Sequence, residues 1–184
     1  SLKEINLKNF DPYSLADMSY MFYNCSSLSS IDATHLDTEM VTNMTSTFEN
    51  CISIKSIDIS NFRVPSLITA EKMFKNCKEL ASIDLKDFYV EDLKIINEMF
   101  YGCSSLKSLD LSGLEDIDEI KMNYLCYHCL NLEYLDISSF KNIDMTNLSL
   151  LSDDIETEGI IKVDKNMVDI INSIIPKKWR VDSV

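Results

Sequence analysis

Glycine and proline are scarce, three of each in 184 residues, which excludes long flexible linkers and low-complexity disordered tracts. No stretch approaches the roughly 18 consecutive apolar residues of a membrane span, so no direct membrane insertion by this segment is expected. Cations are also short. With 17 Lys and Arg against 30 Asp and Glu, the net charge is −13, which repels phosphate backbones and anionic headgroups. Nucleic acid is therefore not expected as a ligand, and basic or neutral partners are favoured. Only two histidines occur, and no glycine-rich phosphate loop, nucleophile elbow or His-centred triad is legible. No catalytic residue, enzyme activity or cofactor is expected. Neither an initiating Met nor a signal peptide precedes the pattern, which reads as a piece processed or excised from something longer.

What the chain has is a period. Phe22, Phe48, Phe74 and Phe100 are each 26 residues apart, and Cys25, Cys51, Cys77, Cys103 and Cys129 keep step. A fixed period over more than a hundred residues means one supersecondary unit stacked on copies of itself. In that frame the turns align as LKEINLKNF at 2–10, LSSIDATHL at 28–36, IKSIDISNF at 54–62, LASIDLKDF at 80–88, LKSLDLSGL at 106–114 and LEYLDISSF at 132–140. Each carries an L-x-x-L-x-L skeleton whose centre predicts a short strand. Alternation points Ile31 and Ala33, and likewise Ile57 and Ile59, inward, with Asp32 and Asp58 outward. Between strands, apolar residues fall at spacings of three and four, as in Met18, Met21, Phe22 and Cys25, which predicts a short amphipathic helix. Asn24, Asn50, Asn76 and Gly102 stand where a left-handed residue would close it, and His128 departs there.

The expected fold is α/β: a solenoid of about six strand–helix turns over residues 1–151, with a parallel sheet on one face. Residues 152–184 are expected to form a C-terminal strand–helix cap of the same domain. Ile161 and Val163 stay in frame with Leu135 and Ile137 as a seventh strand. Met167, Ile171, Ile174 and Ile175 mark the closing helix, with Asp164 or Asn166 as its cap and Pro176 beyond its end. The cap opens on an acidic run, Ser152 to Gly159.

The segments MFYNCSSLSSID at 21–32 and MFYGCSSLKSLDLS at 99–112 closely resemble the 26-residue BspA-type leucine-rich repeat of bacterial, mycoplasma and protozoan surface proteins. The resemblance covers roughly residues 1–151. It implies a surface-exposed or lipoprotein-anchored protein and, for the better known members, adhesion to host matrix or to other cells. Thr47 for Met, Cys126 for Phe and Glu119 beside Ile120 depart from the pattern without shifting the frame.

Two constellations carry chemistry. The six cysteines fit a buried column of reduced thiols, a ladder of disulfides, or, for Cys126 and Cys129 with His128 or His35, half of a zinc site. No metal ligand set is assigned, because four thiolates do not converge. The second constellation is a row of carboxylates on the outward strand position: Asp32, Asp58, Asp84, Asp110 and Asp136. Stacked at about 4.8 Å, neighbours repel by about 1 kcal/mol in water, so something must offset the row. Hydroxyls of Ser30, Ser56, Ser82 and Ser108, with Thr34, Ser60, Ser112 and Ser138, are expected to donate across turns, and Asn6 and Lys162 to end the row. Alternatively the row is an acidic strip for a basic partner or for a hard cation such as Ca²⁺.

The favoured function is recognition of a protein or glycan through the exposed strand face, in which Lys55, Glu133 and Tyr134 flank the Asp row. Tyr134 is the aromatic of that set and its expected anchor. An extracellular or cell-surface site follows from the resemblance. The rival is an intracellular protein-interaction scaffold, favoured by the unpaired thiols; a purely structural spacer is a third reading. The sequons at Asn24, Asn43 and Asn147 point weakly towards secretion.

Overall fold

The computed structural model describes residues 2–7, 14–33, 35–60, 62–86, 88–114, 117 and 119–184. Phe10 and Thr34, both given places in the repeat, lie outside the described residues, as does the side chain of Asn6. Strands β1 (Glu4–Asn6) and β2 (Ser30–Asp32) pair in parallel with Ile5 opposite Ile31. Further along, β3 (Ser108–Asp110), β4 (Tyr134–Asp136) and β5 (Gly159–Val163) pair in parallel, Leu109 on Leu135 on Ile161. The 26-residue frame therefore runs through β5, the strand expected at 161–163. The expected single sheet is nevertheless interrupted: among the described residues no strand forms around Asp58 or Asp84, where isolated bonds such as Ala81 N–H to Lys55 O at 3.1 Å replace a ladder.

The larger correction concerns the helices expected between strands, because none forms there among the described residues. In residues 18–25 every second N–H leaves the segment for the next coil: Met18, Tyr20, Phe22 and Asn24 donate to the carbonyls of Asn43, Thr45, Thr47 and Glu49 at 2.9–3.0 Å. The N–H groups between them close three-residue steps, Met21 to Met18, Tyr23 to Tyr20 and Cys25 to Phe22, at 3.1–3.2 Å. The same pattern recurs one and two periods on, for example Phe48 to Met73 at 2.8 Å and Phe74 to Met99 at 2.9 Å. Left-handed residues recur every fourth position, Tyr20 and Asn24 at φ 59°, Ser46 at 55° and Asn50 at 62°. A right-handed helix cannot hold them. Helix is disfavoured here because the segments are short and rich in Tyr, Phe, Asn, Cys, Ser and Thr, all weak helix formers, whereas four bonds per junction to a neighbouring coil satisfy the backbone at once. Those four bonds outnumber what a three-residue strand can make, so the turn side holds the coils together even where the sheet lapses.

The core is a set of columns. Phe22, Phe48, Phe74 and Phe100 stack with centroids 5.2, 5.6 and 5.4 Å apart and planes within 15°. Phe62, Phe88, Leu114 and Phe140, which share another position of the repeat, are all essentially inaccessible. Cys51, Cys77, Cys103 and Cys129 each aim the thiol at the carbonyl of the Phe in the coil before, Phe22, Phe48, Phe74 and Phe100, at 3.0–3.2 Å. Thr47, where other coils carry Met, places its hydroxyl 2.8 Å from Met44 O and 3.0 Å from Met18 O. Asn24, Asn50 and Asn76 link side chain to side chain at 2.9 Å, and the Asn76 oxygen then occupies the space a Cβ at Gly102 would need, 2.4 Å away. Gly102 itself sits at φ +71°, so the ladder of amides ends on the residue that suits both demands.

At the C-terminal end Asp164 accepts from Asn166 N–H at 2.8 Å and starts a 3-10 turn, Lys165–Met167, that runs into helix α1 (Val168–Ile174). Beyond it comes β6 (Trp179–Ser183), a strand with no counterpart in the repeat frame, which pairs in parallel with β5, Ile161 opposite Val181. No helix among the described residues is long and apolar enough to cross a membrane.

Candidate functional site

The carboxylate row begins with a two-residue turn. Asp58 Oδ1 accepts from the N–H and hydroxyl of Ser60 at 3.0 and 2.7 Å, and Asp110 Oδ1 from those of Ser112 at 2.9 and 2.6 Å. Asp84 Oδ1 accepts from Lys86 N–H at 3.1 Å. The offsetting bonds thus run within a coil, from the residue two positions on, and not across coils from Ser30, Ser56, Ser82 and Ser108 as expected. The reason is local: an Asp side chain reaches the N–H of residue i+2 in an Asx-type turn without any dependence on its neighbours. At Asp58 these bonds prevail over repulsion from the row. The hydroxyl and N–H of Ser60 hold Asp58 below the ordinary carboxylate value against residual burial and the charge of Asp32.

Asp32, Asp58, Asp84 and Asp110 are exposed, as are Lys55 and Glu133. Asp136 is not, being only 5% exposed. Its Oδ1 is held by Ser138 N–H at 3.0 Å and Ser138 hydroxyl at 2.5 Å, its Oδ2 by the Tyr134 hydroxyl at 2.8 Å, and Lys162 Nζ stands 3.7 Å from Oδ2. Lys162 also lies 5.8 Å from the centre of the Tyr134 ring. The row therefore ends on Lys162, but by covering its last carboxylate. Tyr134, expected as an anchor, is half-buried and committed to Asp136.

Burial alone would raise the Asp136 carboxyl, but Ser138, Tyr134 and Lys162 together hold it below its ordinary value of 3.8. A depressed carboxylate contributes stability that is complete above the unfolded value and is lost as pH falls through the folded one. Tyr134→Phe removes one donor to a buried charge and is expected to cost about 1 kcal/mol at neutral pH. The loss should shrink below pH 4, and melting curves from pH 7 to pH 3 check this; equal losses across the range would show that the hydroxyl does not act through the carboxylate.

All six cysteines are unpaired, Cys25 half-buried and the rest buried. Burial pushes the Cys51 thiol up to about 12 and raises those of Cys77, Cys103 and Cys126. Protonated, buried thiols of this kind are poor nucleophiles and poor metal ligands. His35 is exposed, while His128 Nδ1 lies 2.8 Å from Asp154 Oδ2, so the two imidazoles share no site. Among the described residues no three His, Cys, Asp or Glu side chains come together to hold a metal ion.

A group of exposed and half-buried rings has no place in the sequence reading. Tyr20 and Tyr23 meet edge-on at 5.5 Å, and four periods later Tyr124 and Tyr127 meet edge-on at 5.2 Å. Tyr101 stacks on Tyr127 at 5.8 Å, and His128 lies against both at 5.4 and 4.7 Å. The frame contained the signal, since Tyr23, Tyr101 and Tyr127 share one position of the repeat and Tyr20 and Tyr124 another.

A leucine-rich repeat protein from T. pallidum, known from a crystal structure, is 15% identical to this chain, with a TM-score of 0.44, covering 92% of this chain and 80% of that one. No curated protein matches the chain. The family described as Mycoplasma protein of unknown function, DUF285, matches over residues 1–114, and the chain belongs to it.

Proposed function

We propose that the chain is a non-enzymatic recognition module: a leucine-rich-repeat solenoid of about six turns over residues 1–151, of the BspA type, closed by a cap at 152–184. It is displayed at a cell surface and binds a protein or glycan, of host matrix or of another cell, through the exposed strand face. The observation that carries this reading is the repeated geometry of Asp58, Asp84 and Asp110, exposed carboxylates each oriented by the same bond from residue i+2. Side chains held in one conformation lose little entropy on binding, and a fixed acidic row selects partners by charge. Lys55 and Glu133, exposed at one position of the repeat three coils apart, widen the face beside the row.

The test replaces Asp58, Asp84 and Asp110 together by Asn, which keeps the acceptor oxygen and removes three charges. Retention on immobilised matrix extract and on a glycan array should fall about tenfold or more, with the melting temperature unchanged or slightly lowered, since the amide oxygen is a weaker acceptor than the carboxylate. Undiminished retention would remove the strand face from the function. The second reading, an intracellular scaffold, is favoured by six unpaired thiols, which persist most easily in a reducing compartment. Antibody labelling of intact source cells supports the first reading; labelling only after permeabilisation supports the second.

A further inference from the structure

The turn side of the coils presents two columns of side chains, half-buried in the middle coils and more exposed at Tyr20, Tyr23 and Tyr124, and their composition changes along the stack. In the middle coils the positions carry Glu49, Lys72, Lys75 and Glu98; Lys72 pairs with Glu71 at 2.9 Å and with Glu98 at 3.6 Å, Lys75 pairs with Glu98, and Glu49 accepts from the Ser46 hydroxyl at 2.6 Å. Towards the C-terminal end the same positions carry Tyr101, Tyr124 and Tyr127. Tyr124 is 42% exposed and holds φ 57°, a backbone state in which a bulky side chain is uncommon and Asn or Gly would cost less. A large exposed aromatic kept at a strained position suits a contact surface, where Tyr is enriched.

The surroundings select the partner. The acidic loop that follows the last coil closes over His128, whose N–H donates to the Ser152 hydroxyl at 3.0 Å and whose Nδ1 meets Asp154 at 2.8 Å. Asp153, Asp154, Glu156 and Glu158 are exposed along this rim. The chain also shows what its tyrosine rings accept: Lys75 Nζ lies 4.7 Å from the centre of Tyr101, and Arg63 lies 5.7 Å from that of Tyr89. Ring faces attract cations, and a carboxylate rim on a chain of net charge −13 draws them in. We propose that Tyr101, Tyr124, Tyr127 and His128, rimmed by Asp153 and Asp154, form a docking surface for a basic protein segment, with an arginine or lysine seated on the exposed ring of Tyr124. This surface is separate from the strand face and stands without that reading.

The probe is a fluorescent eight-residue peptide alternating Arg and Gly, compared by anisotropy with the same peptide carrying Gln for Arg and with a neutral oligosaccharide. The wild-type chain should bind the Arg peptide, more weakly as salt rises, and the other two far less. Tyr124→Asn, which suits the left-handed backbone, should lower affinity about fivefold or more at unchanged melting temperature. Asp153→Asn with Asp154→Asn should lower it and flatten the salt dependence, while the triple Asn variant of the strand face should bind as wild type. Equal binding of the Arg and Gln peptides, preferential binding of the oligosaccharide, or full binding by Tyr124→Asn would each overturn the proposal. So would loss of binding in the strand-face variant alone.

Discussion

Phe74→Ala is expected to destabilise the chain by about 3–5 kcal/mol, the range for removing a buried aromatic from a packed core. Phe74 is 1% exposed and lies between Phe48 and Phe100, centroids 5.6 and 5.4 Å away, planes tilted by 2° and 15°. The coils cannot close over the gap, because their spacing is set elsewhere, by backbone bonds such as Phe74 N–H to Met99 O at 2.9 Å and Phe48 N–H to Met73 O at 2.8 Å. Truncation leaves those bonds intact and an unfilled cavity between two rings, each of which loses a stacking partner worth about 0.5–1.5 kcal/mol beyond its burial. A domain of this size should then melt roughly 10 °C lower. Phe22→Ala is the internal control. Phe22 ends the described column, with Phe48 as its stacking partner at 5.2 Å, so its loss should cost clearly less. Equal costs by denaturant titration would show that the column does not act as a stack.

The columns were legible in the sequence because a side chain that recurs every 26 residues has to fall on its own copy in the next coil. Phe22, Phe48, Phe74 and Phe100 do so, as do the thiols above them, and the frame extends to Leu135 opposite Ile161. The conformation between strands was not legible from spacing. Left-handed residues four apart, at Tyr20 and Asn24, bring Met18, Phe22 and Cys25 to one side just as a helical stripe would, and periodicity carries no information on where an N–H points. Composition did discriminate, since these segments hold few strong helix formers. Asp136 was misplaced because Tyr134 and Ser138 of its own coil close on its two oxygens and Lys162, opposite it in β5, brings a cation where other coils carry Asp. Strand β6 was missed for a related reason: Gly159 lies opposite Trp179, twenty residues on, a register that a 26-residue frame cannot reach.

That same register makes Gly159→Ala destabilising, against the usual sign. In a strand interior, replacing Gly by Ala is ordinarily favourable by about 0.5–1 kcal/mol. Here a Cβ on residue 159 would stand 2.4 Å from Cε2, 2.5 Å from Cζ2 and 2.7 Å from Cδ2 of Trp179, well inside contact distance. The indole is rigid and only 6% exposed, so it cannot bend aside and must tilt out of its seat or part β5 from β6. Overpacking of this kind costs about 1–3 kcal/mol, which outweighs the backbone gain. Trp179 is the single tryptophan, so its emission reports the seat directly. Gly159→Ala should shift that emission to the red and lower the melting temperature, and adding Trp179→Leu should recover part of the loss by vacating the space. Unshifted emission with a raised melting temperature would mean that the ring does not press on Gly159 in solution. In a stack whose coils touch only their neighbours, damage at β5 and β6 should stay local. Protection of the Phe48 and Phe74 amides from hydrogen exchange should therefore survive the substitution, while that of Ile161 and Val181 falls.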